Sequence, residues 1–272
     1  MQICNLGHIA HARDLHAAGW TRARVAHALT SGSLVRLQRG TYACAHVSTP
    51  LATAASIGGA LTCVSVLREN NVWAGHDQRL HVQLSPRSSV AVPRGVRAHR
   101  EHARFDQSRR HASPKQALWQ AIRCLDEENA IAAMESAIKR KFLSETEVRE
   151  LGALGPLRLQ PGIRLLVTNS GSGNETIVRL RLIRAGHRAE PQGYVPGLGH
   201  QDLIVDDCVA LEIDSKEWHE GEQRATDADR DLVSEGLGRH VIRIRPAHIH
   251  ESWPRTLAVI ERAVRDGQRL RR

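Results

Sequence analysis

Residues 197–219, GLGHQDLIVDDCVALEIDSKEWH, constrain this chain most, because they place two apolar runs and a group of carboxylates within one short hairpin. Residues 203–205 are apolar, Asp206 and Asp207 supply turn chemistry, and Val209 resumes an apolar run that reaches Ile213. Short apolar runs on either side of a polar step read as paired strands. Side chains alternate along a strand, so Glu212, Asp214 and Lys216, spaced by two, fall on one face. Charges on an otherwise apolar strand are costly unless water, a partner or a cation compensates them. Two readings of that face follow: it is the solvated side of a half-exposed strand, or its oxygens hold a divalent cation, with Asp202 completing the set from the neighbouring strand.

The flanking sequence adds to the pattern. Upstream, SGNETIVRLRLIRAG reads as a helix carrying Glu175; downstream, Arg230 and Asp231 enter a helix that ends at Gly238, and HVIRIRP reads as a strand. Over residues 163–265 the order is an acidic helix residue, Asp202 at the second strand, Glu212-x-Asp214 with Ser215, Trp218 and His219, and then the Arg-Asp helix. That order resembles the restriction-endonuclease-like superfamily, and within it a bacterial group related to very-short-patch-repair (Vsr-type) endonucleases.

The resemblance implies a mixed sheet flanked by helices and hydrolysis of DNA phosphodiesters dependent on Mg2+ or Mn2+. By it, Asp202 and Glu212 would hold the cation, and Asp214 and Glu175 would be further ligands or outer acceptors. His219 would protonate the leaving group or position water. The superfamily signature is PD followed by (D/E)xK, and Asp214 stands where the lysine would be, as it often does in the group resembled. Lys216 lies one strand period further on and has two open readings, orienting water or standing on the surface. His200 occupies a place where many relatives have arginine.

Residues 1–50 read as a separate unit. Residues 6–18 have a helical pattern, Gly19 breaks it, and Thr21 is an N-cap for TRARVAHALTSG. LVRLQRGTYA then reads as two strands, so the layout is that of a winged helix-turn-helix. Thr21, Arg22, Arg24 and His27 would face bases, and Arg36 and Arg39 on the wing would contact phosphates. The segment resembles the N-terminal domain of AbiEi-type antitoxins, in which a glycine turn, Leu-Val-Arg and Arg-Gly-x-Tyr-Ala recur in order; here these are Ser31-Gly32-Ser33, Leu34-Val35-Arg36 and Arg39-Gly40-Thr41-Tyr42-Ala43. A helix-turn-helix also serves as a protein-interaction module, and that reading stays open.

Residues 51–155 read as a connector of mixed structure. LHVQLSP, residues 80–86, alternates like a strand, and residues 94–111 carry six arginines against Glu101 and Asp106, either a second phosphate surface or a solvated face. Leu118, Ile122 and Leu125, then Ile131, Met134 and Ile138, repeat at helical spacing and belong to a core. Ser144 and Glu147 form a capping box, and LGALGP marks a break that sets a boundary near residue 156, ahead of the nuclease-like stretch 156–272.

The expected fold class is α/β (α+β), as the resemblance implies, and length and composition agree with a soluble, DNA-facing, intracellular chain. The formal net charge of +9 favours a polyanionic partner. Five cysteines, at 4, 44, 63, 124 and 208, are odd in number and contain no CxxC pair, which suggests neither a disulfide framework nor a zinc ribbon and points to a reducing, cytoplasmic, nucleoid-associated setting. Export and membrane insertion are not expected, since no apolar run reaches about 18 residues. The expected partners are DNA and, by resemblance, a cognate toxin or a repair protein. Two function classes compete: a targeted DNA endonuclease in repair or defence, and a DNA-binding regulator or antitoxin whose tail keeps the fold without turnover. Retention of Asp202, Glu212 and Asp214 together favours the first. A sugar or nucleotide hydrolase is disfavoured by the lack of a Gly-rich phosphate loop.

Overall fold

The computed structural model describes residues 4, 7–105, 110–196, 199–214 and 240–270 of the chain. The fold is mixed α/β, in two compact units, Met1–Cys124 and Leu125–Arg272.

The first unit opens with β1 (Ile9–His11), α1 (Ala12–Ala17), α2 (Arg22–Thr30), β2 (Leu34–Gln38) and β3 (Thr41–Cys44). The three strands form an antiparallel sheet in the order β1-β3-β2. Helix α2 starts at Thr21, whose Oγ1 accepts the Arg24 N–H at 3.2 Å, and it runs out before Gly32, which is left-handed at φ +73°. Leu15, Ala28, Leu34 and Cys44 form the small core, with Trp20, Val25, Leu29 and Tyr42 packed against it. The helix expected over residues 6–18 is shorter than its pattern. Gly7 and His8 are both left-handed, and Ile9–His11 pairs with β3 instead, so non-local pairing overrides local periodicity.

The rest of this unit is α3 (Thr49–Ser56), β4 (Ala60–Leu61), α4 (Cys63–Glu69), β5 (Leu80–Leu84), β6 (Val96–Arg100) and α5 (Pro114–Cys124). Its sheet runs β4-β5-β6, with β5 and β6 parallel. Helices α4 and α5 bury Val66, Leu67, Leu118 and Ile122, each worth about 1.5–3 kcal/mol against exposure.

The second unit contains α6 (Glu127–Lys139), α7 (Glu145–Leu154), a 3-10 turn (Leu157–Leu159), α8 (Gln160–Ile163), α9 (Gly173–Arg184), β7 (Ala189–Val195), β8 (Gly199–Val205), β9 (Val209–Ile213), β10 (His240–Ile244), α10 (Pro246–His250) and α11 (Trp253–Leu270). Its sheet has the order β10-β9-β8-β7, parallel between β10 and β9 and antiparallel elsewhere. The β8–β9 turn uses Asp206 at φ +47° and Asp207 at φ +62°, the pair of positive values a tight hairpin requires. Leu203, Val205, Val209 and Leu211 are fully buried. Helix α9 packs on β7 and β8, and α11 packs on β9 and β10.

The break at Gly155 and Pro156 ends α7, capped at its start by the Ser144–Glu147 box, and it falls inside this second unit instead of at a boundary between units. Helix α6 belongs here because it is tied to α9. Glu135 meets Arg179 at 2.5 Å, Glu128 meets Arg181 at 2.7 Å, and Glu127 meets Arg184 at 3.0 Å. Sequence pattern shows that such a helix exists but not which partner it pairs with.

Candidate active site

The carboxylates singled out from the sequence come from three elements and one strand end. Glu175 lies in the first turn of α9, Asp202 in the middle of β8, Glu212 near the end of β9, and Asp214 one residue beyond that strand. Strand β9 stops at Ile213, one residue short of the expected VALEID run, yet the Asp214 N–H still bonds the Ile244 carbonyl at 2.9 Å and extends the β10 alignment. Lys216, His219, Arg230 and Asp231 lie outside the described residues.

Each carboxylate is held differently. Glu175 is buried; its Oε2 accepts the Gly171 N–H at 2.7 Å and Gln192 Nε2 at 3.0 Å. Ser172 caps α9 by accepting the Glu175 N–H at 3.3 Å. Asp202 Oδ2 accepts the Ile213 N–H at 2.6 Å across the β8–β9 pair. Glu212 Oε2 lies 3.0 Å from Arg243 Nε on β10. Burial, and then the Asp202 charge, pushes Glu175 above the usual carboxylate range. Burial pushes Asp202 up as well, the Ile213 N–H opposes it, and the charges of Glu212 and Asp214 add to the rise. The four groups therefore share one electrostatic neighbourhood, although among the described residues no three of them bring donor oxygens within 4.8 Å of one another.

Three contributors carry no signal in the sequence. Gln192 faces Asp202 in the β7–β8 register, between the pairs Pro191↔Leu203 and Gly193↔Gln201; its Nε2 donates to Glu175 Oε2, and its amide opposes the rise of Asp202. Its backbone is left-handed at φ +55°, a conformation disfavoured for a residue with a Cβ and recurrent at functional positions. Gly171 admits the Glu175 carboxylate where any Cβ would overlap it. Arg243 supplies the cation beside Glu212.

The donor set fits a hard divalent cation. All candidate ligand atoms are carboxylate oxygens, and those of Glu175 and Asp202 are partly withdrawn from water and repel one another, a cost that bound Mg2+ or Mn2+ relieves.

In the first unit, Thr21 commits its side-chain oxygen to the α2 cap. Arg22, His27, Arg36 and Arg39 are exposed, and so is Arg24, whose guanidinium lies 4.3 Å from the Trp20 ring centroid. Several arginines of residues 94–111 are engaged in the fold: Arg97 with Asp77, Arg100 with the Ser88 and Val90 carbonyls, Arg104 over Trp119, and Arg110 with the Ile9 carbonyl. No helix among the described residues is long and apolar enough to cross a membrane. The chain matches no protein-family model, and none of the curated proteins matches it.

Proposed function

We propose that the chain is a metal-dependent DNA endonuclease whose second unit hydrolyses phosphodiester bonds and whose first unit contacts DNA. The observation that carries this reading is the electrostatic coupling of the carboxylates: burial and then the Asp202 charge raise Glu175, and burial with the charges of Glu212 and Asp214 raises Asp202. Burying Glu175 and Asp202 against backbone N–H groups, an amide and like charges costs stability, and active sites are where such costs are retained.

Asp202, Glu212 and Asp214 would hold Mg2+ or Mn2+, with Glu175 as an added ligand. When bound, the cation would polarise the scissile phosphate and lower the pKa of a coordinated water. Gln192 donates to Glu175 Oε2 and so fixes that carboxylate, and its amide also favours the ionised form of Asp202. The Ile213 N–H holds Asp202 Oδ2, which leaves Oδ1 for a ligand. In the first unit, the exposed arginines of α2 and of the β2–β3 hairpin offer positive charge to phosphates.

The test is cleavage of supercoiled, mismatched and single-stranded DNA with added Mg2+ or Mn2+, by the wild type and by Asp202→Ala and Glu212→Ala. Wild-type cutting should be lost in both variants by more than the roughly 10–100-fold that outer partners of a metal site cost. Equal cutting by all three proteins would trace the activity elsewhere. Binding on every substrate with cutting on none would favour a DNA-binding regulator or antitoxin, the reading that the exposed Arg22, Arg24, Arg36 and Arg39 support on their own.

A further inference from the structure

The first unit brings together four soft ligands that the linear sequence keeps far apart. Cys63 stands at the start of α4, His81 on β5, His99 on β6 and Cys124 at the end of α5. Each offers one donor atom, and these four atoms all lie within 4.8 Å of one another. His81 Nδ1 is 3.1 Å from His99 Nε2 and 3.9 Å from Cys124 Sγ. In a tetrahedral zinc site with Zn–N of about 2.0 Å and Zn–S of about 2.3 Å, the edges are about 3.3 Å between two nitrogens and about 3.5 Å between nitrogen and sulfur. The observed spacings lie within a few tenths of an ångström of those edges.

The surroundings are those of a metal site too. His81 is fully buried, and its other ring nitrogen, Nε2, lies 3.2 Å from Asp77 Oδ2. Arg79 at 2.7 Å and Arg97 at 3.5 Å hold that same carboxylate oxygen. A carboxylate on the far nitrogen places the proton there and turns the Nδ1 lone pair towards the other three donors, the arrangement that orients metal-bound histidines. Cys63 adopts φ +51°, an unfavourable backbone for a residue with a Cβ, and that conformation delivers its sulfur from the first residue of α4.

We infer that Cys63, His81, His99 and Cys124 form a closed, structural zinc site that clasps α4, β5, β6 and α5. Both cysteines bind as thiolates, their protons passing to solvent, so two negative charges offset the dication and the site is neutral. All four positions are filled by protein, which leaves none for substrate and assigns the ion to folding and not to catalysis. The site lies wholly within the first unit and is independent of the acidic residues of the second.

The test uses the full chain. Zinc content by elemental mass spectrometry should be one ion per chain. After the zinc is stripped, Co2+ should give the intense visible bands of tetrahedral coordination together with thiolate charge-transfer absorption. Cys124→Ser should lose the charge-transfer intensity of one thiolate and bind Co2+ more weakly, and His99→Cys, which keeps four ligands, should retain the metal and gain such intensity. Asp77→Asn, outside the ligand set, should weaken Co2+ binding by about 10–100-fold. A second group, Cys4, His8 and Cys44, also gathers donor atoms, so Cys4→Ser/Cys44→Ser must keep the zinc. Loss of zinc in that double variant, Co2+ spectra without thiolate bands, or a Cys63–Cys124 disulfide in freshly purified reduced-cytosol protein would each overturn the assignment.

Discussion

Two glutamates of the second unit, Glu135 and Glu175, are almost equally buried, at 2% and 5% exposure, and both are pushed up by desolvation before any other cause. They differ in what faces them. Glu135 meets the Arg179 guanidinium, the Thr176 hydroxyl at 2.6 Å and the Val167 N–H at 2.9 Å. Glu175, one turn earlier on the same helix as Arg179, meets the Gly171 N–H, Gln192 and the charge of Asp202. The first is a structural charge with its complement built in. The second is a charge whose complement the fold leaves out, and that difference separates a residue that holds the unit together from one available to a ligand.

The same substitution at both positions tests the comparison most strongly. Glu135→Gln leaves Arg179 buried without its counter-charge, and breaking a buried pair in this way costs about 3–5 kcal/mol. Glu175→Gln removes a charge that is repelled by Asp202, so the metal-free unit should be as stable as the wild type or more so at neutral pH. Urea unfolding of the two variants reads both effects, and a comparable loss for Glu175→Gln would erase the distinction. Next in size is stabilisation by the cation itself. Mg2+ at about 100 times its dissociation constant should add about 2.7 kcal/mol to the wild type, as much to Glu135→Gln, and little to Asp202→Ala.

A third measurement addresses the loop that receives Glu175. A Cβ at Gly171 would overlap the Glu175 carboxylate, so Gly171→Ala should push that group aside. By analogy with outer partners of metal sites, cation affinity should fall by about 10–100-fold. Calorimetric titration with Mn2+ reads the loss directly. Unchanged affinity would mean that Glu175 takes no part in holding the ion.

The parts of this design that lie close in sequence are legible there. The apolar runs on either side of the Asp206-Asp207 step give the β8–β9 hairpin and bring Asp202 and Glu212 to adjacent strands. Thr21 and Ser144 announce their helices because a cap is a local hydrogen bond. What depends on distant segments is not legible. Gln192 is an ordinary strand residue until β8 places Asp202 opposite it, and the Glu135–Arg179 pair spans 44 residues, so α6 read as part of a connector. The four proposed zinc ligands, at 63, 81, 99 and 124, lack the close pairs that mark a zinc motif, because each sits on a different element and only tertiary packing collects them.

The smallest expected effect is a dependence of stability on pH, and it reports the same asymmetry. Glu175 and Asp202 both titrate above the usual carboxylate range in the folded chain. Between the unfolded and the raised folded values, the native state binds more protons than the unfolded state, so the slope of unfolding free energy against pH is negative. The metal-free chain should therefore lose stability as pH rises from the ordinary carboxylate range through that window, and its melting temperature should level off above it. Burial raises Glu135 as well, against the pull of Arg179, so its share of the slope should survive in Glu175→Gln and Asp202→Asn, each of which removes the share of the residue it replaces. Saturating Mg2+ should flatten the wild-type curve in the same way, since a bound cation favours the ionised carboxylates. A wild-type slope that neither the substitutions nor the cation reduce would place the uncompensated charge elsewhere in the unit.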